Sequence, residues 1–139
     1  MTIEDLASVL HREQCSCVIY NRGTLTFCHQ RGVRDLYQIL TDNPAVLSGA
    51  MVADKVIGKG AAALMILGGV RSVYADVISR PALDLLSTAS VAVSYRECVP
   101  NIVNRMGTGI CPVESLCEDC VSANDCFPLI ERFINETNI

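Results

Sequence analysis

The sequence predicts an α/β protein, a three-layer α/β/α sandwich with a mixed sheet that includes parallel strands. Three observations lead to this prediction. Half of the 139 residues are hydrophobic and 19% are charged, which suits one compact domain over residues 1–139. Stretches with helical spacing of apolar residues alternate with short β-branched runs. The connection from Ser79 to Ser90 between two of those runs is about as short as connections between parallel strands can be.

The first third of the chain predicts a helix, a β-hairpin and a second helix. Thr2 and Asp5 match a capping box ahead of an apolar stripe, which marks a helix start. Cys15–Cys28 predicts two strands, because Asn21-Arg22-Gly23 separates two β-prone runs with turn residues. The helix that follows is expected to stop at Asn43-Pro44, and residues 45–53 fit either a strand or a lead-in to the next helix.

The longest apolar run of the sequence predicts a central helix, from about Ala53 to Leu67, that ends at Gly68-Gly69. Lys55 and Lys59 are the only lysines of the chain, and four residues of spacing would put them on one helix face. A helix N-terminus carries free amides and a positive dipole, so two cations there favour an anion site. A solvated helix edge is the alternative explanation.

The second half of the chain is expected to run strand, helix, strand, loop, helix and helix. The expected bounds, in that order, are Val70–Ser79, Pro81–Thr88, Val91–Tyr95, Asn101–Gly109, a helix with Cys111 at its cap and Pro112 first, and a helix from about Asp125 to Ile134. From about residue 111 to residue 139 the chain forms a cysteine-rich helical tail to the same domain.

Candidate binding residues follow from this topology, because ligand sites of open α/β sheets form beyond the carboxyl ends of parallel strands. Such residues are found at the predicted start of the central helix and at the end of the predicted strand Val70–Ser79. The candidates for binding a small anionic or nucleotide-like ligand are Asp54, Lys55, Lys59, Ser79 and Arg80.

Cys111 and Glu114 are candidate catalytic residues. A thiol at a helix N-terminus has a lowered pKa, and a carboxylate three residues on could act as its base. The alternative is structural: Cys111 is a small buried residue, and Glu114 caps the helix by accepting from the Cys111 amide.

The tail contains four cysteines in the spacing C-x5-C-x2-C-x5-C, which makes a metal site an alternative prediction. These residues are Cys111, Cys117, Cys120 and Cys126. Four thiols can hold zinc or an iron–sulfur cluster, although the outer spacings match no common ligand pattern. The eight cysteines of the chain indicate reduced thiols rather than a disulfide framework, because no secretory signal precedes them.

Two sequence motifs connect the chain to a known family. They are Asp54-Lys55-Val56-x-Gly58-Lys59 and Asn104-Arg105-x-Gly107-Thr108-Gly109-x-Cys111-Pro112-x-Glu114. On these motifs, over about residues 3 to 120, the chain resembles a family of uncharacterised proteins assigned to the cytidine-deaminase fold. The resemblance implies that fold, whose helix, hairpin, helix, strand, helix and strand follow the same order.

The resemblance does not extend to the zinc site of the deaminases. Those enzymes bind zinc through His (or Cys)-x-Glu at the start of the central helix and Pro-Cys-x-x-Cys at the next helix. In this chain the predicted start of the central helix contains Asp54, Lys55 and Gly58-Lys59-Gly60. The start of the next helix is Arg80-Pro81-Ala82-Leu83-Asp84. Neither stretch contains a histidine or a cysteine. The expectation is therefore no cofactor and no zinc-dependent deamination.

Composition limits the partners. A net charge of −4 without a basic run argues against nucleic acid, and the apolar runs are too short to span a bilayer. A cytoplasmic protein is therefore expected. Three functions stay open: binding of a small molecule, a cysteine-rich metal or redox module, and a non-enzymatic assembly protein that forms a homodimer through apolar helices.

Overall fold

The computed structural model describes residues 1–30, 33–103 and 107–137. Over these residues the fold has six α-helices and five β-strands, with one 3-10 turn at Pro44–Val46. The helices are α1 (Ile3–Arg12), α2 (Arg34–Asp42), α3 (Lys59–Gly68), α4 (Arg80–Thr88), α5 (Pro112–Leu116) and α6 (Ala123–Thr137). The strands are β1 (Cys17–Asn21), β2 (Thr24–Cys28), β3 (Met51–Ile57), β4 (Ser72–Ser79) and β5 (Ala92–Val99).

The strands form one mixed sheet in the order β2-β1-β3-β4-β5. β1 pairs antiparallel with β2 and with β3, whereas β3, β4 and β5 are parallel to one another. Helix α1 packs on one face of the sheet through Leu6 and Leu10, against Val18 and Ala53. The other helices enclose the larger core on the opposite face. The predicted α/β class with a mixed sheet is confirmed.

Local signals place the first elements correctly. Thr2 and Asp5 form the predicted capping box of α1. The hairpin turns through Arg22 (φ 51°) and Gly23 (φ 81°), left-handed conformations that suit a two-residue turn between right-twisted strands. Helix α3 ends at Gly69, which takes the left-handed conformation (φ 83°) expected of a helix C-cap.

The predicted start of the central helix is wrong. Residues 53–57 belong to β3, and α3 begins only at Lys59, after an extended Gly58. Met51–Ile57 pairs with β1 on one side and with β4 on the other, and its first four residues are buried. A strand that is covered on both faces has a continuous apolar pattern, which from sequence resembles the pattern of a buried helix. Asp54 and Lys55 therefore lie on a strand, and Lys55 shares no helix face with Lys59.

The tail forms the two predicted helices. Cys111 is the N-cap residue of α5 and Pro112 its first residue, as predicted. Helix α6 begins at Ala123 and packs against α3 through Ile130 and Ile134 of the main core. The predicted loop Asn101–Gly109 includes residues 104–106, so Asn104 and Arg105 of the second motif lie outside the described residues. Within the described ranges, no helix combines the length and the apolar character needed to cross a membrane.

Candidate functional site

A cavity of about 900 Å³ lies between the hairpin, α2 and the starts of α3 and α5, on the face of the sheet opposite α1. Its wall includes Asp54 and Lys55 from β3, Cys17 and Cys28 from the hairpin, and Cys111 from the tail. Residues distant in sequence meet there because β1 pairs with both β2 and β3. The cavity is therefore a concave space with several chemically active side chains in its wall.

Asp54 is the buried acid of this wall, with 7% of its surface exposed. Burial raises the pKa of Asp54 to about 7, although hydrogen bonds from the Val56 amide and the Cys17 thiol favour the charged form. Loss of hydration destabilises the charged carboxylate by more than these two hydrogen bonds stabilise it. Asp54 can therefore gain or lose a proton near neutral pH, which is the property required of a general acid or base.

Cys17 of the hairpin faces Asp54, and Cys28 lies on the other side of Cys17. Cys17 lies opposite Cys28 in one strand pair and opposite Asp54 in the other. Interaction with the Cys28 thiol, together with burial and the Asp54 charge, raises the pKa of Cys17 well above its ordinary value. Cys17 is consequently a neutral thiol that donates to Asp54, since a reactive thiolate requires a lowered pKa.

Lys55 supplies one cation of the cavity wall, and the half-buried Arg34 supplies another. Its backbone amide donates to the Ser16 carbonyl at 3.1 Å, which fixes its position at the end of the β1 pairing, and the residue is exposed. Burial raises the pKa of the neighbouring Cys15 thiol, and the positive charge of Lys55 partly opposes this effect. Asp54 and Lys55, consecutive residues of β3, thus both line the same space.

Glu114 is a structural acceptor rather than a free base. It is 3% exposed, and its Oε1 accepts from the Lys59 amide at 2.8 Å and from the Ser79 hydroxyl at 2.7 Å, while Oε2 accepts from the Ile102 amide. The Cys111 amide instead donates to the Ile102 carbonyl at 2.8 Å. The alternative in which Glu114 caps α5 through the Cys111 amide is therefore wrong, and the carboxylate already accepts three hydrogen bonds from its own chain.

The other predicted ligand residues have partners elsewhere. The Lys59 ammonium is buried and donates to the carbonyls of Glu118 at 3.1 Å and Cys120 at 2.6 Å. Arg80 is exposed and pairs with Asp84 at 3.3 Å. Of the predicted binding residues, the structure brings Asp54 and Lys55 together in the cavity wall and gives Lys59, Ser79 and Arg80 other contacts.

Three of the four tail cysteines converge. The sulfur atoms of Cys117, Cys120 and Cys126 all lie within 4.8 Å of one another. Cys117 follows α5, Cys120 lies in the turn beyond it, and Cys126 is in the first turns of α6. Cys111, the fourth member of the predicted set, is at the opposite end of α5 and in the cavity wall. The four-cysteine pattern therefore divides into a three-thiol cluster and a separate cavity residue.

Sequence reasoning missed the thiols that accompany Asp54, although a signal for them was present. A two-residue turn at Arg22-Gly23 pairs Asn21 with Thr24, and counting outward from that pair puts Cys17 opposite Cys28. The proximity of Cys17 to Asp54 carried no such signal, because it depends on a pairing between β1 and β3 across more than thirty residues.

Comparison with known proteins places the chain in a family. Residues 5–134 match the family model TM1506, described as a domain of unknown function (DUF1893). The crystal structure of a DUF1893 family protein (TM1506) from Thermotoga maritima superposes with a TM-score of 0.85 and 22% sequence identity, over 93% of this chain and 87% of that one. No curated protein matches the sequence. Because the family model covers nearly the whole chain, the protein belongs to the DUF1893 family.

Proposed function

We propose that the cavity binds a small anionic or nucleotide-like molecule and that Asp54 exchanges a proton with it. The observation that carries this proposal is the burial of Asp54 in the cavity wall, which raises its pKa to about 7. A carboxyl group that titrates near neutral pH inside a concave space is a marker of functional sites.

Lys55, together with Arg34 of the same wall, gives the proposed ligand its charge preference. The exposed lysine is next to Asp54 in sequence and borders the same cavity, so an anionic group can pair with its ammonium while another part of the ligand contacts Asp54. Cys111 contributes a half-buried thiol to the wall. Glu114 orders this wall, because its three hydrogen bonds join the residues before α5 to the start of α3.

The proposal includes a deaminase-like fold that works without the deaminase zinc site. An antiparallel hairpin beside three parallel strands, with helix crossovers, supports that assignment. The first residues of α3 and α4 provide no histidine or cysteine to hold a catalytic zinc ion. Proton transfer through Asp54 is therefore the chemistry that these residues support. A reducing, cytoplasmic setting suits this proposal, since the cavity thiols form no disulfide bonds.

Ligand-induced changes in melting temperature test the proposal. The protein is screened against nucleoside phosphates, sugar phosphates and dicarboxylates, and hits are followed by calorimetric titration at several pH values. We expect Lys55→Ala to weaken binding at least about tenfold, the equivalent of one lost charge contact of about 1.4 kcal/mol. Asp54→Asn should remove the pH dependence of binding near pH 7.

Arg80→Ala is the matched control, because Arg80 is an exposed cation that pairs with Asp84. It should bind the same ligand as the wild-type protein does. Equal weakening by Lys55→Ala and Arg80→Ala, or an affinity that Asp54→Asn leaves unchanged at every pH, would contradict the proposal. A screen in which none of these anions raises the melting temperature contradicts it as well.

A further inference from the structure

We propose that Cys117, Cys120 and Cys126 form a three-thiolate site for one thiophilic metal ion, with zinc as the natural occupant. The three sulfur atoms lie within 4.8 Å of one another, although their residues are in three different local structures. Packing of small apolar residues explains burial, but it does not explain three sulfur atoms that converge on one point. Thiolates are the preferred protein ligands of zinc and other soft metal ions.

The spacing of the sulfur atoms favours a single ion over a four-iron cluster. Zinc binds thiolates at about 2.3 Å, which places two sulfur ligands of a tetrahedral site about 3.8 Å apart. Distances of up to 4.8 Å reach this value with small side-chain rotations. A four-iron cluster holds its cysteine ligands on separate iron atoms at the corners of a cube, which requires wider spacing.

Charge at the cluster also fits a metal thiolate. Three thiolates and Zn²⁺ have a net charge of −1, and the buried ammonium of Lys59 neutralises it. Lys59 is held beside the cluster by its hydrogen bonds to the carbonyls of Glu118 and Cys120. These hydrogen bonds order the loop between α5 and α6 that carries Cys120. Residues that bond to metal ligands from outside the coordination sphere have the same effect in metal sites.

Of the three thiols, that of Cys120 is the one nearest to solvent. Cys117 and Cys126 are buried, whereas Cys120 is half-buried. A water molecule or a thiol from solution can complete the coordination there, as in zinc sites with three protein ligands. The bound ion would tie the end of α5 to the start of α6 and, through Lys59, to the first residue of α3.

Titration of the reduced full-length chain with Co²⁺ and then Zn²⁺ tests the site under anaerobic conditions. Tetrahedral cobalt with thiolate ligands has intense visible and near-ultraviolet bands, which Zn²⁺ should abolish at one equivalent. Native mass spectrometry should show one zinc ion per chain. Cys120→Ser is the decisive variant, because the residue is half-buried and its replacement tests binding even if Cys117→Ser fails to fold.

Two cysteine controls separate the cluster from general thiol binding. Cys98→Ser removes another half-buried thiol, in β5, and Cys111→Ser removes the fourth member of the sequence pattern. Both should keep one zinc ion per chain, whereas Cys120→Ser should lose it. Lys59→Gln should lower zinc affinity by about 10–100-fold, the usual effect of losing an outer-shell partner.

Several results would overturn the inference. They are the absence of cobalt bands in the wild-type protein, retention of one zinc ion by Cys120→Ser, loss of zinc in Cys111→Ser, and an iron–sulfur absorbance after addition of iron and sulfide. None of these measurements depends on the cavity ligand, so the metal site and the proposed function succeed or fail separately.

Discussion

Glu114 accepts a hydrogen bond from the backbone amide of Lys59 at 2.8 Å, and the two residues are fifty-five positions apart. Gly58, the N-cap of α3, has no side chain that could cap this helix. The carboxylate from the tail takes that role and complements the positive end of the helix. A Cβ at Gly58 would lie in ordinary contact with the Glu114 carboxylate, at 3.5 Å, and close to Ile102 Cγ1, at 3.3 Å, so this position leaves little room for a larger side chain.

Glu114→Gln should destabilise the protein by about 2 kcal/mol. The glutamine oxygen can replace Oε1 and keep the hydrogen bonds from Lys59 and Ser79. Its amide nitrogen then faces the Ile102 amide, so two donors meet in a buried place. Urea unfolding measures the loss. Glu118→Ala is the control, since Glu118 is exposed and Lys59 contacts only its carbonyl. Equal stability of Glu114→Gln and the wild type would contradict this assignment.

The free energy of unfolding should fall as the pH rises from about 4 to about 7, because of Asp54. Between its ordinary pKa of 3.8 and the folded value of about 7, the folded protein retains a proton that the unfolded chain has released. Protonation therefore favours the folded state in this range, and the advantage is lost above pH 7. The free energy of unfolding should fall by about 4 kcal/mol in total because of Asp54, at about 1.4 kcal/mol for each pH unit.

The measurement is a series of urea titrations on the wild type and on Asp54→Asn. The difference in slope between the two proteins isolates Asp54 from other titrating groups. Asp84→Asn, at an exposed aspartate, should keep the wild-type slope. Parallel pH profiles for wild type and Asp54→Asn would show that Asp54 titrates in its ordinary range.

Asp76→Asn should cost about 1–3 kcal/mol near pH 6 and less as the pH falls below 3.8, for example at about pH 3. Burial would raise the pKa of Asp76, but hydrogen bonds from His11 at 2.6 Å and Tyr74 at 2.7 Å lower it overall. A lowered folded pKa gives stability that is present above 3.8 and is lost as the pH falls through the folded value. Thermal unfolding at the two pH values measures both effects.

Tyr74→Phe removes one of the two donors to Asp76 and should lose part of the same stability. A destabilisation by Asp76→Asn that is as large at pH 3 as at pH 6 would mean that packing, and not the charge of the carboxylate, is the cause.

Gly60→Ala should destabilise the protein by about 1 kcal/mol, although alanine normally favours helices by about that amount. A Cβ at Gly60 would lie 2.4 Å from Val113 Cγ1, and overpacking of this kind costs about 1–3 kcal/mol. Val113→Ala in the same chain should relieve the clash, so a double-mutant cycle by urea unfolding should give a favourable coupling energy. A more stable Gly60→Ala would indicate that α5 moves away without cost.

Local chemistry made much of the fold predictable. The capping box at Thr2, the turn at Arg22-Gly23 and the glycine stop at Gly69 each depend on neighbouring residues alone. The sequence does not indicate the boundary between β3 and α3, because burial of residues 51–54 on both faces comes from α1 and from the larger core together. The roles of Glu114 and Lys59 depend on contacts across more than fifty residues, which no local pattern contains.

Glu114 follows all five strands in the chain, and this order has a consequence for folding. Its three donors are at the start of α3, the end of β4 and the segment after β5. During synthesis these buried groups emerge well before their acceptor, so the carboxyl edge of the parallel strands is completed only when the tail docks. Nascent chains that end before Glu114 would contain β1 to β5 yet leave that edge without its acceptor, so the fold is completed when the segment that carries Glu114 docks.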